Sequence, residues 1–148
     1  MPRKIPIYFK GNCIGQIYSD DTIERFIIRD TDSRLNIREA MAVQEWITSK
    51  EPFHIMREPP HQRQIMGGMW GAIGGMFPNM MDIAKLWAES QPDRTRDLDE
   101  AFLCRQVWPH IEHHHMSHDD YLRYNTHLSK KFPIDLEPEM FVGQIIEV

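Results

Sequence analysis

The passage from Arg25 to Ser49 constrains this chain most, because a β-rich run stops abruptly at a pair of acids and a capped helix follows at once. Arg25-Phe26-Ile27-Ile28-Arg29 has the composition of a buried strand, and Asp30-Thr31-Asp32-Ser33-Arg34 ends it. Asn36, with Glu39 three residues on, matches a capping box, and Ala40, Met41, Val43, Trp46 and Ile47 then recur at helical spacing up to Ser49. Phe53-His54-Ile55-Met56 is a further short strand. Strand, helix and strand place the chain in the α/β class. In open α/β sheets ligands bind beyond the carboxyl ends of the strands, which is where Asp30 and Asp32 fall.

Around this unit the elements are read from shorter signals. The alternating run Ile5-Pro6-Ile7-Tyr8-Phe9, the Gly11-Asn12 turn signal and the run Cys13 to Tyr18 predict a hairpin. Pro59 and Pro60 lack amide donors, so the segment Arg57 to His61 reads as a loop. Between Ile65 and Phe77, glycines at 67, 68, 71, 74 and 75 alternate with apolar side chains, which predicts a buried segment where backbone approaches something closely. Asn79 caps a helix with an apolar stripe of Met80, Ile83, Ala84, Leu86 and Trp87, and Ser90 to Arg96 is a polar linker. Asp97 and Glu100 open another helix, with Phe102, Leu103, Val107 and Trp108 inward and Pro109 as its stop. A histidine-rich segment, His110 to His118, leads to Asp119, Asp120 and an irregular tail.

With 148 residues the chain is expected to form a single domain. A formal charge of -5 without a basic stripe argues against nucleic acid or an anionic membrane as partner. No apolar stretch reaches the ~18 residues of a membrane span, no signal peptide is evident, and Cys13 and Cys104 make no disulfide framework, so a soluble, cytoplasmic protein is expected.

Asp30-Thr31-Asp32 could address one divalent cation, yet the pattern alone is weak, and an acidic loop ahead of a helix is the bland reading. Consecutive histidines at 113, 114 and 115 cannot all face one ion, so they read as surface-loop residues. Met66, Met69, Met76, Met80 and Met81 read as core filling, Trp46, Trp87 and Trp108 as helix core positions, and Cys104 as a small hydrophobe. For Trp70 amid glycines, core packing and stacking on a ligand ring weigh equally.

Several blocks in order resemble a family of glycosyltransferase-like proteins with the A-type glycosyltransferase fold. They are Arg29-Asp30-Thr31-Asp32-Ser33-Arg34-Leu35, Arg38-Glu39, Ala42-Val43, Glu45-Trp46, Phe53 to Arg57 and Gly68-Met69-Trp70-Gly71. Asp99 to Leu103, Val107-Trp108-Pro109, His118-Asp119, Phe132-Pro133 and Phe141-Val142-Gly143-Gln144 follow, so that the resemblance spans residues 25–144 after a divergent segment 1–24. It implies a partial Rossmann-like sheet flanked by helices. It implies Mn²⁺ or Mg²⁺ held by Asp30, Asp32 and the late histidine His118, and a nucleotide-sugar diphosphate met by Arg29, Asp30, Asp32 and Arg34. Asp99 and Glu100 would be the catalytic acids, and Gly67, Gly68, Met69 and Trp70 the wall for the sugar. Glu100 replaces a Gln usual in the family, and Asp120 a Ser. Because 29 residues precede Asp30, against the ~30 or more of one βαβ unit, the likeness is to the catalytic half, with the nucleotide-binding half largely missing.

The leading expectation is therefore a metal-dependent glycosyltransferase, of hexosyltransferase type, acting on a nucleotide-sugar donor and a glycan acceptor in polysaccharide synthesis. It needs His118 to fold back onto the two acids. The runner-up is a non-catalytic structural or interaction protein derived from such an enzyme, with a second copy or a partner chain over the exposed sheet edge. A metal-dependent hydrolase ranks third, since no second acidic cluster with dinuclear spacing is evident.

Overall fold

In the computed structural model, residues 7–9, 14–58, 63–92, 97–121, 124, 128–135, 137 and 142–144 are described. The fold is α/β. Its sheet is built from β1 (Ile7–Phe9), β2 (Arg25–Arg29), β3 (Phe53–Arg57), β4 (Met69–Ile73), β5 (Met116–Asp119) and β6 (Ser129–Lys130) in the order β1-β2-β4-β3-β5-β6. β1 pairs parallel with β2, β3 with β5, and β5 with β6, while β4 runs antiparallel between β2 and β3. All the strands except β4 therefore end at one edge, and β4 begins there.

Strand alternation sorts the side chains to two faces. Phe26 and Ile28 of β2, Phe53 and Ile55 of β3, and Trp70 and Ala72 of β4 form one core with Ile17, Tyr18, Met80, Phe102, Leu103, Val107 and Ile111. These last residues come from α1 (Ile14–Ser19), α3 (Met80–Ser90), α4 (Leu98–Phe102), the π-helical turn Leu103–Val107 and α5 (Trp108–Ile111). On the opposite face Met56 and Met69 meet Ala42 of α2 (Ile37–Ser49), Phe132 and Val142. Each fully buried Phe, Ile or Met stabilises the fold by about 1.5–3 kcal/mol relative to exposure.

Where the reading of the sequence and the fold differ, burial supplies the reason. The run up to Tyr18 is the helix α1 rather than the second strand of a hairpin. Ile14, Ile17 and Tyr18 stand at helical spacing, and Tyr18, 3% exposed, is packed against Phe26, Trp70 and Phe77. A helix is also what a parallel β1–β2 pair needs as its connection. The Gly11-Asn12 turn, Cys13 and the prolines at 59 and 60 lie outside the described residues. Pro109 does not stop a helix but stands in the first turn of α5, where its missing N–H costs nothing. β5 emerges from the end of the histidine-rich segment, whose histidines read as surface-loop residues from the sequence.

Candidate active site

The carboxyl edge of the sheet gathers residues far apart in sequence. Arg29 pairs with Met69, so the chain leaving β2 at Asp30 lies against Gly68, which enters β4. A Cβ on Gly68 would stand 2.4 Å from Asp30 Oδ2 and 2.8 Å from the Asp30 amide nitrogen, closer than real Cβ contacts come. A Cβ on Gly67 would meet Asp99 Oδ2 at 2.9 Å. The Gly67 N–H donates to Glu100 Oε1 at 3.2 Å, and Trp70 Nε1 donates to the Gly67 carbonyl at 3.1 Å. Arg63 Nε lies 3.2 Å from Glu100 Oε2, and its Nη2 lies 3.4 Å from Asp97. Asp30, Gly67, Gly68, Asp99 and Glu100 are thus brought together, one acid against each glycine. The close-approach reading of this glycine segment is borne out by these contacts.

The acidic turn is pinned at both ends. The Ser33 N–H donates to the Asp30 carbonyl at 3.2 Å, and the Arg34 N–H donates to the Gln144 carbonyl at 3.0 Å, so residues 142–144 fold back beside it. Asp32 and Arg34 are exposed. Glu58, at the end of β3, accepts from the Val142 N–H and pairs with the buried Arg38 guanidinium, which also binds Asp120 and the Ile134 carbonyl. Burial raises the Glu58 carboxyl, against the Val142 hydrogen bond and the Arg38 charge that lower it. Nothing in the residue pattern singled out Glu58 or Asp120 as a clamp. An arginine and a glutamate at positions 38 and 39 inside an apolar repeat were the available signal, since buried charges need partners.

Other expected site residues are placed differently. Arg29 is buried and turned inward. It pairs with Glu39 and donates to the Ile28 and Trp70 carbonyls, so it does not reach a phosphate at the edge. Trp70 is 1% exposed, stacked on Phe53 with centroids 5.2 Å apart and on Tyr18 at 5.2 Å. Both ring faces are taken, so it packs the core and presents no platform to a sugar. Met69 is likewise buried.

His118 also departs from its expected place. Its Nδ1 is 2.8 Å from His54 Nε2, and its Nε2 is 2.8 Å from Glu45 Oε2, which Lys130 Nζ approaches to 2.9 Å. β5 stands three strand positions from β2, about 14 Å at ~4.8 Å per strand. Alternation sends His118 to the α2 face with His54, while Asp30 follows Arg29 and turns to the other side. Burial lowers the basicity of both histidines, most of all His54, and in His118 the Glu45 hydrogen bond works the other way. Burial tends to raise the Glu45 carboxyl, but the bonds from His118 and Lys130 outweigh it and hold it below its usual range. Freeing His118 Nδ1 for a cation would strand the buried His54 nitrogen at about 1–3 kcal/mol, and freeing Nε2 would break the Glu45 bond. Among the described residues no three His, Cys, Asp or Glu side chains form a group that could hold a metal ion. The donor set Asp30, Asp32 and His118 therefore does not fit a shared cation. His110, His113 and His114 are exposed, and His115 is buried with Nδ1 2.9 Å from the Ile111 carbonyl.

No family model matches the chain, and no curated protein matches it. A crystal structure described as that of a glycosyltransferase involved in the glycosylation of the major capsid of PBCV-1 superposes with a TM-score of 0.49 and 20% identity, over 66% of this chain. The chain spans about half of that structure, 50% of its length. A likeness of that degree assigns no activity. No described helix is long and apolar enough to cross a membrane.

Proposed function

We propose that this chain is glycosyltransferase-like and transfers a sugar from a nucleotide-sugar donor to a glycan acceptor at the carboxyl edge of its sheet. The observation that carries the reading is the meeting of Asp30 and Asp99 on the adjacent glycines Gly67 and Gly68. The two glycines let both carboxylates close onto the backbone at the sheet's carboxyl edge, and paired carboxylates are the acceptors that the hydroxyl groups of a sugar need. The ordered blocks that resemble the family support the same reading, since those around positions 30, 68 and 100 converge there.

In this proposal Asp99 is the acid that faces the sugar, and Glu100 positions the turn through the Gly67 N–H rather than touching substrate. A nucleotide diphosphate is repelled by acids, so the proposal needs Mn²⁺ or Mg²⁺; with His118 withdrawn and no three-residue cage among the described residues, Asp30 and Asp32 would hold it only together with the diphosphate and water. The test is thermal unfolding with a panel of nucleoside diphosphates, each with and without Mn²⁺. A nucleotide at a hundredfold excess over its Kd stabilises a protein by about 2.7 kcal/mol, which is a readable rise in Tm. The rise is expected to need both components and to vanish in Asp30→Asn. A wild-type Tm that no nucleotide and metal pair moves rejects the proposal.

A further inference from the structure

We infer that His118 is the centre of a Glu45–His118–His54 relay of fixed tautomers, its two imidazoles buried, that ties α2 to β3 and β5, and that it is a positioning residue rather than a cation ligand. The inference stands apart from the proposed transferase activity and needs no nucleotide.

The hydrogen positions follow from the contacts in order. Glu45 Oε2 receives Lys130 Nζ at 2.9 Å and His118 Nε2 at 2.8 Å, an arrangement suited to a carboxylate accepting two donors. His118 Nε2 must then carry the hydrogen. In a neutral ring Nδ1 is left as an acceptor, and the 2.8 Å contact to His54 Nε2 requires His54 to donate there. That leaves the hydrogen-free nitrogen of His54 at Nδ1, which is buried and has no protein partner among the described residues. The two rings are 0% exposed, and their planes meet edge on at 85°. His54 stacks on Trp46 of α2 at 5.2 Å, and His118 lies 5.5 Å from the Phe132 ring. Every neighbour holds the rings in this orientation, so neither nitrogen of His118 can turn to an ion without breaking the chain.

The experiment reads the imidazole nitrogens directly. Long-range ¹H–¹⁵N spectra of the full chain at neutral pH are expected to show His54 and His118 both as the neutral Nε2–H tautomer, with signals that stay in place when Zn²⁺ is added as a diamagnetic probe. A Zn²⁺-induced change at either His118 nitrogen, or an Nδ1–H tautomer for His118, overturns the inference. Two variants give an independent reading. Glu45→Gln keeps an acceptor in place and is expected to retain the His118 tautomer, whereas Glu45→Ala is expected to release it into a mixture of tautomers with a lower Tm. A merely structural glutamate would lower the Tm in Glu45→Ala without altering the tautomer balance, and that outcome also overturns it.

Discussion

Gly68 carries the most exacting constraint at the edge. A methyl group there would run into the Asp30 carboxylate and its amide nitrogen, and the second contact is to backbone inside a paired strand end, which cannot swing away. Gly68→Ala is expected to destabilise the chain by about 1–3 kcal/mol, as overpacking does. It should also abolish any nucleotide-dependent rise in Tm by displacing Asp30. A variant whose urea midpoint and nucleotide response match wild type would show that the turn yields more than these contacts allow. Asp30 and Asp32 were legible because their position relative to a strand end is encoded locally. Gly67 and Gly68 were legible as a close approach, though what they approach was not, since Asp99 and Glu100 arrive from more than thirty residues away. His118 could not be placed correctly from sequence at all. Its distance from Asp30 is set by β4 and β3 lying between β2 and β5, a property of sheet order that no local pattern carries.

At the scale of elements, α2 shows both what periodicity reveals and what it conceals. Its start was legible: the Asn36 side chain accepts the Glu39 N–H at 2.9 Å, as a cap should. Its inward face was not, because Arg38 and Glu39 are buried beside Ala42 and Trp46, while Met41 is 40% exposed. Charge at two inward positions is tolerated because each has a partner on another element, Arg29 for Glu39 and Glu58 with Asp120 for Arg38. Removing one member of a buried pair leaves a charge without water or counter-ion, so Glu39→Ala is expected to cost about 3–5 kcal/mol. Asn36→Ala, which loses only the cap, should cost about 1 kcal/mol. Chemical unfolding of the two variants gives the comparison, and equal losses would mean that Arg29 finds another acceptor. The same logic of non-local partners explains α1, which was read as a strand because the aromatic core awaiting Tyr18 lies on β2 and β4.

For the whole molecule, the buried histidines tie stability to pH. His54, His115 and His118 all have their basicity lowered chiefly by burial, so each stays neutral in the fold at a pH where the unfolded chain, with an ordinary value of about 6.5, takes up a proton. Where the unfolded state binds more protons, stability rises with pH. The contribution is therefore fully present above about 6.5 and is lost as pH falls from there toward the folded values, with a limiting slope of about 1.4 kcal/mol per pH unit for each histidine. Glu58 acts with the opposite sign. Burial raises its folded value, so its share favours the fold as pH falls, within a window that opens upward from the ordinary carboxyl range of about 4.3 and lies mainly below that of the histidines. Urea unfolding at pH 7.5 and 5.5 is expected to show a lower free energy at 5.5. His115→Gln, which leaves the Glu45–His118–His54 chain intact, should make that difference smaller. Equal stability at the two pH values would mean that the folded chain accepts protons on these rings as readily as the unfolded one, despite the burial of His54 and His118 between the sheet and α2 and of His115 beside α5.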